Sequence, residues 1–155
     1  MQDVNSYRIG IVGAGALGGA LAIALNKKGF TVTKIFSRSE SSIKKLCSRI
    51  DGSSLSKSVQ EVSDNTDIIF ITTSDNAIQT SAESSSWQKG QIVIHCSGVS
   101  GLEVLDKAKS DGASIGSMHP LQPFSDMDLG SKNINNITFG IDGDKIALDI
   151  ISKLV

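Results

Sequence analysis

Residues 9–25 read "IGIVGAGALGGALAIAL", and this run constrains the fold more than any other part of the chain. It carries no charge and follows Arg8, so a membrane span or a signal peptide is the first alternative to weigh. Its five glycines are ordered rather than scattered, and the acidic Asp3 precedes it. Gly13, Gly15 and Gly18 form G-x-G-x-x-G, with the apolar run "YRIGIV" (7–12) before them. After them Leu17, Leu21, Ala24 and Leu25 recur at helical spacing. Lys27 and Lys28 suit a helix C-terminus, and Gly29 suits its stop. The segment therefore reads as strand 7–12, glycine turn and helix 15–28 rather than as a span.

Each glycine of such a turn has its own reason. Gly13 turns the chain tightly, Gly15 lets a pyrophosphate approach where a Cβ would block it, and Gly18 lets helix and strand pack closely. The helix N-terminus then offers unpaired N–H groups and the positive end of its dipole to the phosphates. Gly13, Ala14, Gly15, Ala16, Leu17 and Gly18 are thus the predicted cradle of a dinucleotide.

The rest of the chain repeats the strand–helix alternation. Strands are predicted at 30–36 ("FTVTKIF"), weakly at 53–55, at 66–73, 91–96 and 113–118, and at 136–142 ("NITFGID"). "IIFI", within 66–73, is apolar on both faces, as a buried parallel strand requires. Helices are predicted at 39–50, at 101–112 and from Asp144 to the chain end. The serine-rich stretches 37–63 and 81–86 read as surface loops and helix caps. Strands alternating with helices imply right-handed crossovers, giving an α/β fold with a doubly wound, mostly parallel sheet in three layers, α/β/α. At 155 residues the chain is one domain by size. A net charge of −1 gives no basic field for nucleic acid or an anionic membrane, and aromatics at 5% are too few for a base-stacking surface. Cys47 and Cys96 lie in no CxxC or Cys/His spacing, so no metal site is expected, and they read as reduced thiols of a cytoplasmic protein.

Ligands of open α/β sheets sit beyond the carboxyl ends of the strands. A site for NAD usually carries Asp or Glu at the end of the second strand, to hold the ribose 2′-OH. This strand ends "IFSRSES" instead, with Ser37 nineteen residues past Gly18. Arg38 can pair with a 2′-phosphate, and Ser37 and Ser39 can donate hydrogen bonds to it. Charge-assisted bonds of roughly 1.5–3 kcal/mol each predict NADP over NAD by about tenfold to a hundredfold. Thr72, Thr73 and Ser74, in "TTSDNAI", place small donors beside the cofactor, with Ser74 or Asp75 as alternative caps of the next helix. His95 reads as a packed histidine. Ser97 in "HCSG" and His119 in "MHPLQPF" end consecutive strands, which usually lie close together. His119 is the predicted proton carrier, and Ser97 would orient it or bind a substrate oxygen. Pro120 and Pro123, the chain's two prolines, would stiffen the loop that carries His119.

"IGIVGAGALGGALAIAL", "FSRS", "TTSDNAI", "HCSGVSGLEVL" and "GSMHPLQPF" together resemble a family of NADP oxidoreductases. In that family a Rossmann-like domain is paired with a helical C-terminal domain of unknown function. More distantly the chain is similar to prephenate dehydrogenases, pyrroline-5-carboxylate reductases and β-hydroxyacid dehydrogenases. The resemblance to prephenate dehydrogenases maps Ser97 and His119 onto a serine after the fifth strand and an "HP" histidine that acts at the substrate. Those enzymes follow the histidine with a small residue and glycine, where this chain has "LQPF", so substrate identity does not transfer. The resemblance further implies that residues 1–155 are the NAD(P)-binding domain and that a helical domain would close the active site and often form the dimer. The expectation is an NADP(H)-binding domain of an oxidoreductase acting on a small organic substrate. The alternatives are a non-catalytic dinucleotide sensor and a nucleotide-sugar or methyl-donor enzyme.

Overall fold

Ile68, Ile69, Phe70 and Ile71 are all fully buried, which requires cover on both faces of the strand they form. The computed structural model describes residues 3–155. In it the elements β1 (Arg8–Val12), α1 (Ala16–Lys27), β2 (Thr31–Phe36), α2 (Glu40–Cys47), β3 (Ser54–Leu55), α3 (Val59–Asn65) and β4 (Ile68–Ile71) follow in order. Then come α4 (Asp75–Glu83), β5 (Ile92–His95), α5 (Asp106–Ser110), β6 (Ser114–Pro120), α6 (Met127–Asn133), β7 (Phe139–Gly143) and α7 (Lys145–Leu154). The strands form one seven-stranded sheet in the order β3-β2-β1-β4-β5-β6-β7. All neighbours pair in parallel except β6 and β7. The order reverses direction between β1 and β4, the point at which such sheets open a crevice for ligand.

Alternation along the strands sends successive side chains to opposite faces. Ile9, Ile11, Ile68, Phe70, Ile92, Ile94 and Met118 pack with α1, α2, α6 and α7. Val12, Ile69, Ile71, Val93 and Ile115 pack with α3, α4 and α5. These are the two apolar layers of an α/β/α sandwich, as expected.

Helix α1 is buried from Gly18 through Leu25, with no polar face in that stretch. The reason is α6, which covers the side that the sheet does not. The approach is close: a Cβ on Gly19 would lie 2.8 Å from the Met127 Cβ, and one on Gly130 would lie 2.8 Å from the Ala20 Cβ. The uncharged run is thus apolar all round because it has neighbours all round. No helix among the described residues is long and apolar enough to cross a membrane.

Several boundaries differ from expectation. Two helices, α3 and α6, lie in stretches read as loop or left unassigned. The helix expected at 39–50 ends at Cys47, where Arg49 and Ile50 donate back to Leu46 and Cys47 in a tight final turn that buries Ile50. The helix expected at 101–112 is a 3-10 turn (Leu102–Leu105) followed by α5. Most consequential for the site, β6 does not stop at Met118. It runs on through His119 and Pro120 because the antiparallel β7 pairs with it from Gly116 to Pro120.

Candidate functional site

The glycine turn joins the end of β1 to α1 and is held from two sides. The Gly13 amide donates to the Phe36 carbonyl at 2.7 Å, and the Thr72 hydroxyl donates to the Gly13 carbonyl at 2.7 Å. Gly13 has φ +108°, and a Cβ there would lie 2.8 Å from the Thr72 carbonyl carbon. A Cβ on Gly18 would lie 1.9 Å from the Gly13 carbonyl oxygen and 2.4 Å from the Thr72 hydroxyl. Gly15 is different. It is exposed, and a Cβ there would meet no atom of the protein within 4 Å. Gly13 and Gly18 are therefore small for the protein's own packing, whereas the space at Gly15 is left for something else.

Gly15 is also the N-cap of α1 and supplies no side-chain cap. The first turn contains no acidic residue, and among the described residues no acceptor is placed for the amides of Ala16, Leu17 and Gly18. A 12-residue helix thus points unpaired donors and the positive end of its dipole at an open hollow. Such a donor set suits an anionic group such as a diphosphate.

That hollow is a cleft of about 950 Å³ beyond the carboxyl ends of β1, β2 and β4. Gly13, Ala14 and Gly15 line it, with Ser37 and Arg38 after β2 and Thr72, Thr73 and Ser74 after β4. The structure thus brings together three stretches that the sequence analysis selected separately. Leu17 and Ala16 stand at its edge in the first helical turn, half-buried, and do not line it with side chains. Ser39 does not line it either: its hydroxyl caps α2 by accepting the Ser42 amide at 3.3 Å. Ser74 occupies the N-cap position of α4 without capping it, and its hydroxyl donates to the Asn76 side chain at 2.8 Å. The Thr73 hydroxyl donates to the Ser74 carbonyl at 3.3 Å. Sequence reasoning missed Lys57 and Ser58, which follow β3, and the polar wall of α4 formed by Asn76, Thr80, Ser81 and Ser84. A smaller apolar hollow, about 250 Å³ and lined partly by Leu21, Phe139 and Leu154, shares no residue with this cleft.

The carboxyl ends of β5 and β6 carry the other predicted residues. His95 is fully buried with both ring nitrogens engaged. Nδ1 accepts the Ser97 amide at 3.1 Å, which leaves Nε2 to donate to the Gly101 carbonyl at 3.1 Å. Burial holds its pKa below the ordinary histidine value, against the opposing pull of the Gly101 carbonyl. Ser97 is buried, and its Oγ accepts the amides of Val99 at 3.2 Å and Ser100 at 3.1 Å. His95 and Ser97 thus shape the turn at 97–101.

His119 lies one turn of the ladder beyond, opposite Gly140 in the β6–β7 register. Its ring is half-buried, forms no hydrogen bond among the described residues, and rests beside two glycines. A Cβ on Gly98 would lie 3.2 Å from Nδ1, and one on Gly140 would lie 2.2 Å from Nε2. Ser97 and His119 are close in the fold but share no hydrogen bond. The backbone of His119 is held by the β7 ladder; Pro120 is the last residue of β6, and Pro123 lies in the loop beyond it.

A mostly parallel sheet with this strand order, a glycine turn opening into α1 and a cleft at the switch point define the Rossmann class of α/β domains. The chain belongs to the Rossmann-like domain family, whose model matches residues 2–120. No curated protein matches the sequence. Solved structures share the fold across nearly the whole chain. A prephenate dehydrogenase from A. aeolicus, solved with hydroxyphenyl propionate and NAD+, superposes with a TM-score of 0.82 at 19% identity, covering 99% of this chain and 57% of its own. A Bacteroides fragilis protein designated an NADP oxidoreductase gives 0.80 at 21% identity, covering 98% of this chain and 57% of its own. A reductive aminase from Aspergillus terreus, solved with NADPH and ethyl-5-oxohexanoate, gives 0.76 at 14% identity, covering 96% of this chain and 52% of its own. The chain thus spans little more than half the length of these proteins.

Proposed function

We propose that this chain is the NADP(H)-binding domain of an oxidoreductase that moves hydride to or from a small organic substrate. The observation that carries the reading is the open space at Gly15, which lines one cleft with Arg38 and caps α1, whose first-turn amides have no acceptor among the described residues. The relatives solved with NAD+ and NADPH support the cofactor class.

In this reading the amides of residues 16–18 hold the diphosphate. Arg38 pairs with the ribose 2′-phosphate, and Ser37 donates to the same ribose. No Asp or Glu lines the cleft to hold a 2′-OH or repel a phosphate there. When bound, the nicotinamide supplies or accepts the hydride. His119 then holds the proton that accompanies it, at Nδ1, the nitrogen facing Gly98 and the β5 side of the sheet. Ser97 keeps the adjacent turn in shape. Substrate enclosure and turnover draw on the helical domain that the family resemblance implies.

The test is the affinity of the protein for NADPH and NADH, measured by calorimetry. NADPH is expected to bind tighter by about tenfold to a hundredfold, and Arg38→Ala to remove most of that difference. Equal affinities in the wild type would overturn the preference for NADP. Failure to bind either nucleotide would overturn the reading as a whole.

A further inference from the structure

The cleft contains a second cation that no motif announced. Lys57 follows β3, and β3 pairs in parallel with β2 through Lys34↔Ser54 and Ile35↔Leu55. Two residues beyond that last pair, the chains reach Ser37 and Lys57. The Ser56 amide donates to the Ile35 carbonyl at 2.8 Å, so the exit of β3 stays against β2. Both Arg38 and Lys57 line the same cleft.

The backbone of Lys57 is pinned. Its amide donates to the Glu61 carboxylate at 2.8 Å, and the Ser58 hydroxyl accepts the Glu61 amide at 3.1 Å. This reciprocal cap, a variant of the capping box in which Glu61 reaches the residue before the N-cap, closes the start of α3. The other Glu61 oxygen faces Lys34 at 3.6 Å, and the Lys57 charge acts on this carboxylate through space without forming an ion pair. Glu40, the acidic residue closest in sequence to Arg38, is paired with Lys44 at 2.8 Å. Among the described residues neither Arg38 nor Lys57 has a side-chain hydrogen bond or an ion pair. Asn76, Thr80, Ser81 and Ser84, along α4, are polar but uncharged. Among the described residues the lining of the cleft therefore carries two cations that form no ion pair, and no carboxylate.

A phosphomonoester carries about −1.5 to −2 charges at pH 7, more than one guanidinium balances. We infer that Lys57 is a second specificity-determining residue, its ammonium sharing the ribose 2′-phosphate with Arg38. This rests on the reading of the cleft as a nicotinamide dinucleotide site. Arg38 supplies the planar fork and Lys57 a mobile point charge from the neighbouring β3–α3 turn. Discrimination between NADP and NAD is then built from two loops.

The experiment compares wild type, Lys57→Ala, Arg38→Ala and the double variant, each titrated with NADPH, NADH and 2′,5′-ADP. Thermal melts check folding, and Lys57→Gln serves as a second variant that keeps the side-chain stem. Lys57→Ala is expected to weaken NADPH and 2′,5′-ADP by about five- to tenfold and to leave NADH unchanged. The double variant is expected to depart from additivity, because the two cations share one anion. Equal weakening of NADPH and NADH would place Lys57 on the diphosphate and overturn the inference, as would unchanged affinity for all three. A wild type that binds no nucleotide would instead overturn the reading of the cleft.

Discussion

The imidazole of His119 lies over the backbone of Gly140, in space that any side chain at position 140 would occupy. A Cβ there would come within 2.2 Å of Nε2. Backbone atoms of β7 are fixed by the ladder, so the ring must move. An imidazole on one rotatable stem swings aside cheaply, so Gly140→Ala should cost the fold no more than about 1 kcal/mol. The position of the nitrogen proposed to carry the proton should be lost. For the proposed oxidoreductase reaction, turnover is expected to fall about a hundredfold with NADPH affinity unchanged, the scale typical of general acid–base groups. His119→Ala should match it. The His119 ring resonances should also shift on Gly140→Ala. Unchanged turnover together with unchanged resonances would remove Gly140 from any role in placing His119.

The glycine turn offers a cleaner separation of folding from binding. Gly18 touches the Gly13 carbonyl, whereas Gly15 faces open space. Gly18→Ala should overpack the turn at a cost of about 2 kcal/mol, lowering the melting temperature by roughly 4–8 °C. Gly15→Ala should stay within about 1 kcal/mol of wild type yet lose at least tenfold in nucleotide affinity, because its methyl group fills the cradle. Melting curves and titrations of the two variants check this. Equal melting losses would mean that Gly15 is small for packing as well.

What could be read from the sequence follows a physical division. The glycine turn, Ser37 and Arg38 were legible because each lies a fixed few residues after a strand, and local order in the chain is local order in space. Lys57 was not, because it enters the cleft only through the pairing of β3, a two-residue strand, with β2. Helix α3 did carry a signal in Ser58-x-x-Glu61, a capping box hidden in a serine-rich stretch. Helix α6 carried little beyond its Asp126 cap: Gly130 in its middle is poor for helix but allows close packing on Ala20. His119 was expected on a stiff loop and lies in a strand, since the pairing that extends β6 comes from β7, some twenty residues later.

Ser97 has a structural duty that can be measured apart from any chemistry. Its Oγ accepts two amides, those of Val99 and Ser100, in the turn beside His119. Ser97→Ala leaves both donors seeking water, at a cost of about 1 kcal/mol. The melting temperature should fall by roughly 2–4 °C. Amide exchange at Val99 and Ser100 should accelerate about fivefold, while residues in β4 stay protected. Unaltered exchange at those two amides would show that the turn does not depend on Ser97.

His95 makes the same turn sensitive to acid. Burial depresses its pKa from the ordinary 6.5, and the nearby ring of His119 adds to this, while the Gly101 carbonyl and the carboxylates of Glu103 and Asp75 oppose it. The unfolded chain takes up a proton at this residue near pH 6.5, and the folded chain only at lower pH. Between those values the unfolded state holds more protons, so stability rises with pH. The contribution is complete above about pH 6.5 and is lost as pH falls through the folded value. Protonation would also turn Nδ1 from acceptor to donor against the Ser97 amide, breaking the bond that starts the 97–101 turn. As pH falls from about 7.5 to about 5, melting curves should show a falling midpoint, and the protection factor of the Ser97 amide, taken relative to its intrinsic exchange rate at each pH, should drop. His95→Gln should flatten that slope. A wild-type midpoint independent of pH across this interval, or an unchanged slope in His95→Gln, would show that His95 does not couple this turn to acid.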